Sequence, residues 1–220
     1  MFEKQPVKLS EKERQIKIEH KKRCGILGKR LMWMFWITVI GIMLTIALLV
    51  VSRSVTNSTL LIVLSWIGVG VNLISLGILF SVGKFHNDYR IAACIAIMAQ
   101  VCEVFKSVSE YKVNAAFFVL GAFLGVAYTA KLCAAMKDCL DPVDEYLGDS
   151  WKSYLKAYIV VNVGLVLSVL AVFTDLAQLA WVVGMLVFSI ASIIVSFVQL
   201  HLLRRTSNAM TEYSRTPVKE

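Results

Sequence analysis

Long uncharged runs separated by short polar segments dominate the pattern of this chain. Residues 31–52 contain no charged side chain. A helix of that length rises about 1.5 Å per residue and crosses a hydrocarbon core of about 30 Å. Five further runs follow, which gives six predicted spans at 31–52, 59–83, 91–109, 114–136, 153–174 and 179–203. The pattern predicts an all-α fold, a polytopic transmembrane helical bundle of about six spans arranged as three hairpins.

Lysine and arginine are unevenly distributed around these runs. Residues 1–30, 84–90, 131–156 and 204–220, which are predicted to lie on one side of the membrane, hold twenty of the twenty-three Lys and Arg residues. Positive residues favour the cytoplasmic side of a membrane, so both the N- and C-termini are predicted to be cytoplasmic. A five-span arrangement that omits the weakest run, 91–109, would separate two of these basic segments. Six spans are therefore favoured.

Composition agrees with a membrane protein and sets the domain boundaries. Hydrophobic residues make up 58% of the 220 residues and charged residues 17%, against about 45–50% and 25% in soluble domains. The predicted domains are a basic cytoplasmic tail at 1–30, a transmembrane domain at 31–203 and a cytoplasmic tail at 204–220. The pattern Ser10 to Glu13 predicts a solvated helix in the first tail. In the connection 138–149, Asp141 before Pro142 predicts a short interfacial helix.

The net charge of +8 lies mostly in the first tail. A basic segment beside a spanning helix typically meets anionic lipid headgroups. The residues predicted to contact headgroups are Lys21, Lys22, Arg23, Lys29 and Arg30. No aromatic residues alternate with these basic residues as in a nucleic-acid-binding module, so no nucleic acid partner is expected. The expected location is the plasma (cell) membrane, as an integral multi-pass protein.

Two ionisable residues interrupt the third run. Glu103 and Lys106 are three residues apart and share one helix face, where the pair partly neutralises itself. Ionisable residues at membrane depth mark substrate pathways in transporters. With Gln100 one turn earlier and Asn72 in span two, they form the candidate substrate path. The alternative is a charge pair that anchors the outer end of the helix, with Lys106 extending to the interface.

Small residues predict close helix packing in the fourth span. Gly121 and Gly125 are spaced as a GxxxG pattern, and a stripe of alanines in span three predicts packing between helices three and four. The pattern also occurs in membrane-helix dimers, but packing within one chain is favoured.

Catalytic and cofactor motifs are absent from the sequence. There is no HExxH, GxSxG, P-loop or glycine-rich dinucleotide pattern. The five cysteines and three histidines lack the spacing of metal ligands. The chain is therefore expected not to be an enzyme and to hold neither a cofactor nor a metal.

Two function classes remain open at the level of sequence. The first is a small permease or transport subunit with a polar intramembrane site, whose partner would be a cytoplasmic ATPase or another membrane subunit. The second is a non-transporting membrane scaffold, sensor or immunity-type protein that acts by binding partners.

Overall fold

The computed structural model describes residues 11–54, 58–108, 111–171 and 178–217. Within these residues the chain is helical and contains no strand. The six described helices are α1 Glu11–Ser54, α2 Ser58–Val82, α3 Asn87–Val108, α4 Tyr111–Leu140, α5 Glu145–Ala171 and α6 Gln178–Arg215. The predicted all-α fold is confirmed.

Four described helical segments are long and apolar enough to cross a membrane. They are Glu11–Leu48, Ala116–Leu140, Glu145–Ala171 and Val182–Arg215. A shorter apolar segment, Trp66–Val82, lies in α2. Lengths of this kind match the thickness of a bilayer, and the chain is a membrane-embedded helical protein.

The helices are arranged as a ring in chain order. Each helix packs against its neighbours in sequence, and α6 also packs against α1, which closes the ring. Two hydrogen bonds fix the antiparallel register of this closing pair: Lys21 donates to the carbonyl oxygen of Thr216 at 2.7 Å, and Ser207 donates to that of Gly28 at 2.7 Å. At the same end of the bundle, Arg30 donates to the carbonyl oxygen of Ser81.

Tightly packed side chains are concentrated at one end of the ring. This basic end is where residues 20–34, 79–93, 132–154 and 200–215 meet, and it carries most of the described Lys and Arg residues. Trp151 donates to the hydroxyl of Thr206 at 2.9 Å, and Tyr89 donates to the sulfur of Met136 at 3.2 Å. Burial raises the pKa of Tyr89 well above its usual range, so its phenol stays protonated as the donor. The largest fully buried side chains are Leu31, Val82, Tyr89, Leu132, Met136, Leu140, Leu147, Trp151, Leu203, Thr206, Ser207 and Met210.

The remainder of the ring exposes large apolar side chains. Met43 in α1 is 63% exposed and Leu186 in α6 is 61% exposed. Exposure of such a surface to water would be strongly unfavourable, whereas contact with lipid is not, because lipid is as apolar as these side chains. The solvent explains the difference between the basic end and the rest of the ring. Burial of apolar side chains is favourable where the alternative is contact with water, and it brings no such gain where the alternative is contact with lipid.

Both predicted tails continue the neighbouring helices. Helix α1 already begins at Glu11, with residues 11–19 exposed, and its side chains pack against α6 from about His20 onward. Helix α6 runs on to Arg215. This pairing extends both helices because each supplies the other with a packing surface beyond the apolar layer.

The prediction of a separate short interfacial helix within 138–149 is wrong. Helix α4 ends at Leu140, a turn follows, and α5 begins at Glu145 and continues to Ala171. The carboxylate of Asp144, rather than that of Asp141, accepts a hydrogen bond from the amide of Leu147 at 3.0 Å and caps α5. Asp141 instead pairs with Lys137 at 2.8 Å, one turn back.

Candidate functional site: a polar cavity between three helices

A cavity of about 540 Å³ lies between α1, α2 and α6. We call it the three-helix cavity. Its polar lining consists of Thr38, Thr45, Asn72, Ser75 and Ser196. The rest of its lining is Gly41 with the apolar residues Ile37, Ile42, Ile46, Val71, Ile193 and Phe197. No charged side chain belongs to this described lining.

The cavity lies at the depth of the apolar layer. Thr38, Gly41 and Thr45 are about 10, 15 and 21 Å along the helix from Leu31, where the first apolar run begins. Because a hydrocarbon core is about 30 Å thick, these positions surround its middle. Polar side chains at this depth meet either one another, a neighbouring helix or a polar ligand.

Most hydroxyl groups of the lining donate to their own helix. Thr38 donates to the carbonyl oxygen of Met34 at 2.8 Å, and Thr45 donates to that of Gly41 at 2.9 Å. Ser196 donates to Ser192 in the same way at 2.9 Å. Each hydroxyl oxygen keeps lone pairs that can accept a hydrogen bond. These three hydroxyl groups therefore present acceptors, and their own donors are satisfied.

Asn72 differs from these hydroxyl residues. Within the described part of the chain, its side chain makes no hydrogen bond and is exposed. An amide offers two donors and an acceptor. Asn72 is consequently the side chain of the lining with the greatest free capacity to bind a polar group.

Buried apolar residues lie next to the cavity on the side of the basic end. One helical turn nearer that end, α1 has Met34, α2 has Leu79 and α6 has Leu200, all three buried. We call these three residues the apolar floor. Apolar constrictions of this kind hinder the passage of water and polar solutes.

The predicted path residues fall in different places. Asn72 lines the three-helix cavity. Gln100 is half-buried on α3 and does not belong to the cavity lining. Glu103 and Lys106 lie on α3 as predicted, but their side chains are outside the described part of the structure.

The residues predicted to contact headgroups lie in different surroundings. Arg23 pairs with Glu19 at 2.7 Å on the exposed face of α1. Arg30 binds the end of α2 and lies 5.3 Å from the centre of the Phe85 ring. Lys21, Lys22 and Lys29 line a second cavity between α1 and α6.

The predicted packing glycines lie on α4. A Cβ atom at Gly125 would come within 3.2 Å of the Tyr158 hydroxyl, so this glycine faces α5. Gly121 is half-buried on the same helix. Helices α3 and α4 are joined by other groups, among them the ion pair of Lys131 with Asp88 at 3.1 Å.

Sequence reasoning missed a closer glycine contact at the basic end. A Cβ atom at Gly28 would lie 2.7 Å from the Thr211 hydroxyl oxygen and 2.9 Å from the Ser207 carbonyl oxygen. At Gly25 it would lie 2.9 Å from the Ser214 hydroxyl oxygen. Small residues in both segments are a signal for this contact, but the charged character of the segments predicts tails instead of paired helices.

The described residues contain no group of three or more His, Cys, Asp or Glu side chains that could hold a metal ion. No protein-family model, curated protein or solved structure matches the chain. The function of the two cavities must therefore be inferred from the chemistry of the residues that line them.

Proposed function

We propose that this protein is a small multi-pass permease or transport subunit whose solute site is the three-helix cavity. The observation that supports this is the cluster of polar side chains around Asn72 at the depth of the apolar layer. In this proposal all six helices span the cell membrane. The basic end faces the cytoplasm, because positive residues are retained there.

The lining indicates the class of solute. A charged solute in this cavity would lose its hydration without meeting an opposite charge among the described lining residues, which is unfavourable. A small neutral molecule with hydroxyl or amide groups could bind Asn72 and the acceptor oxygens of Thr38, Thr45 and Ser196. The proposed substrates are therefore neutral polar solutes.

The apolar floor gives the proposed transport cycle a closed state. Movement of a solute to the cytoplasm requires Met34, Leu79 and Leu200 to separate. All three residues are buried in the described arrangement, which supports a state that is closed toward the basic end. Small displacements of α1, α2 and α6 would change this barrier.

Reconstitution in liposomes tests the proposal. Purified protein would be compared with empty liposomes for uptake of neutral polyols, sugars, amides and amino acids. We expect faster uptake of at least one solute class, and a loss of about tenfold or more in the Asn72→Leu variant, since the removed hydrogen bonds favour the bound solute by about 1.4 kcal/mol or more. The matched control is Asn162→Leu, because Asn162 lies outside this cavity and bonds the Tyr158 carbonyl oxygen at 2.9 Å.

Two results would contradict transport through this cavity. One is uptake no faster than in empty liposomes for every solute; the other is equal uptake by the Asn72→Leu variant and the wild type. A Glu103→Gln variant in the same assay separates the two interpretations of the third helix. A path residue would lower uptake when neutralised, whereas an anchoring pair would leave it unchanged.

A second candidate function is partner binding without transport. The observation that favours it is that α1 and α6 extend as a pair beyond the apolar layer. The start of α1, at residues 11–19, continues past this pair and is exposed and highly charged. A scaffold or sensor of this kind would need the extension and not Asn72. An ATPase or another membrane subunit as the bound partner is part of the same proposal.

A further inference from the structure

The second cavity, between the extensions of α1 and α6, is an open groove of about 550 Å³. We call it the basic groove. Its α1 side consists of Ile18, Lys21, Lys22, Gly25, Ile26 and Lys29, and its α6 side of Thr211, Ser214, Arg215 and Thr216. It is separate from the three-helix cavity, with which it shares no residue.

Small residues shape the groove. Gly25 and Gly28 bring α1 so close to Thr211 and Ser214 that any Cβ atom on either glycine would press on α6. The long cationic side chains cannot enter this contact and lie along its edges. The result is a narrow base with hydroxyl groups, bordered by positive charge.

The positive charge of the groove is not neutralised within the described chain. Lys21 donates to the carbonyl oxygens of Thr216 and Pro217, which carry no net charge. Lys22, Lys29 and Arg215 form no ion pair with a described residue, and no carboxylate belongs to the lining. By contrast, Arg23 faces away from the groove and is paired with Glu19. Four neighbouring cations repel one another, so an anion bound between them lowers the energy of the site.

The position of the groove indicates which anion it meets. Lys29 lies two residues, or about 3 Å, before the first apolar run. The headgroup layer extends roughly 5–7 Å beyond each side of the hydrocarbon core. Lys29 is therefore at the level of lipid phosphates. Ile26 is at the outer edge of the headgroup layer, and Lys21 and Lys22 lie beyond it, within reach of a larger headgroup.

We propose that the basic groove binds the phosphate group of an anionic phospholipid headgroup. Lys22, Lys29 and Arg215 supply the charge. The arginine offers a planar set of donors suited to two phosphate oxygens, and the lysines act as point charges.

Lipid titration of the purified protein in neutral detergent tests this. The probes are short-chain phosphatidylglycerol, phosphatidylcholine with the same chains, and inorganic phosphate, with bound lipid measured by native mass spectrometry. We expect preferential binding of phosphatidylglycerol. The triple variant Lys22→Gln, Lys29→Gln, Arg215→Gln should bind it roughly 100-fold more weakly, about fivefold for each cation removed.

The matched control removes three exposed cations at or beside the basic end that lie outside the groove. In the variant Lys84→Gln, Lys156→Gln, Arg204→Gln, binding should change by no more than about twofold. Equal losses in both triple variants would overturn the proposal, because they would indicate attraction to the whole surface. Tight binding of inorganic phosphate that displaces the lipid would also overturn it and assign the groove to a soluble anion.

The single variant Lys29→Gln guards against unfolding of the triple variant. It should retain the wild-type melting temperature and bind phosphatidylglycerol about fivefold more weakly. The measurement records binding alone, so its outcome is independent of solute uptake through the three-helix cavity.

Discussion

The hydroxyl of Ser207 donates a 2.7 Å hydrogen bond to the backbone carbonyl oxygen of Gly28, joining two residues that are 179 positions apart in the chain. Ser207 is fully buried, and the absence of a side chain on Gly28 allows the helices to approach this closely. This contact closes the ring between α6 and α1. It also forms the base from which the basic groove opens.

Replacing Gly28 by alanine should weaken the closure of the ring. The added methyl group would lie 2.9 Å from a backbone oxygen of α6, which cannot rotate away, so the helices must separate. Overpacking of this kind costs about 1–3 kcal/mol. We expect the melting temperature in detergent to fall by about 2–4 °C for each kcal/mol.

Gly77→Ala is the control for this substitution. A Cβ atom at Gly77 would meet no heavy atom of a neighbouring residue within 4 Å. Alanine is also the better helix former, so the melting temperature should be unchanged or slightly raised. Equal destabilisation by both variants would contradict the close contact at Gly28.

Thr206→Val should destabilise the basic end without changing the volume of the side chain. The indole N–H of Trp151 donates to Thr206 at 2.9 Å, and both residues are fully buried. Valine leaves this donor unpaired, at a cost of about 1–3 kcal/mol. Thermal unfolding monitored by tryptophan fluorescence measures the effect.

A double variant separates this hydrogen bond from packing effects. In the Trp151→Phe background, Thr206→Val should cost much less, since no indole donor remains. If the two substitutions add without coupling, the hydrogen bond does not stabilise the protein.

Membrane depth can be measured with two exposed positions of α6. Ser189 and Asn208 are both exposed in the structure, but Ser189 lies within the predicted span 179–203 and Asn208 lies beyond it at the basic end. In a background without the five native cysteines, Asn208→Cys should react with a charged thiol reagent at least about tenfold faster than Ser189→Cys in open membranes, because the thiolate needs water to form.

The same pair of variants reports the orientation of the protein. In sealed cells, Asn208→Cys should be protected from an impermeant reagent if the basic end is cytoplasmic. Rapid labelling of Ser189→Cys in open membranes would show that water, and not lipid, covers the exposed apolar surface. Labelling of Asn208→Cys from outside intact cells would reverse the proposed orientation.

Helix positions could be predicted from the sequence because uncharged runs directly reflect the solvent. Five of the six predicted starting points lie within about eight residues of a helix start in the structure, and the exception is α1, which begins at Glu11 instead of at residue 31. The hydrophobic pattern alone predicts where the membrane layer begins, but it does not predict where the helix begins. A charged helix can continue beyond the apolar layer when a partner helix covers it, as α6 covers Gly25 and Gly28 of α1.

The candidate site was predictable only in part. Asn72 was identified because an amide in an apolar run is unusual, and it lies in the three-helix cavity. Its neighbours Thr38, Thr45 and Ser196 carry no such signal, since hydroxyl residues in membrane helices commonly bond their own backbone. The pairing of α1 with α6 joins the two ends of the described chain, and no local pattern specifies a contact between segments so far apart.

A disulfide between α1 and α6 in native membranes tests the closed ring most directly. A Cβ atom at Gly25 would lie 3.0 Å from that of Ser214, slightly below the roughly 3.5–4.5 Å of disulfides. In the cysteine-free background, Gly25→Cys with Ser214→Cys should therefore form an intramolecular disulfide on mild oxidation. Gly25→Cys with Arg205→Cys, about 13 Å away along α6, should not. Efficient cross-linking of the first pair alone is the predicted result; no cross-link in the first pair, or equal cross-linking of both, would contradict the ring.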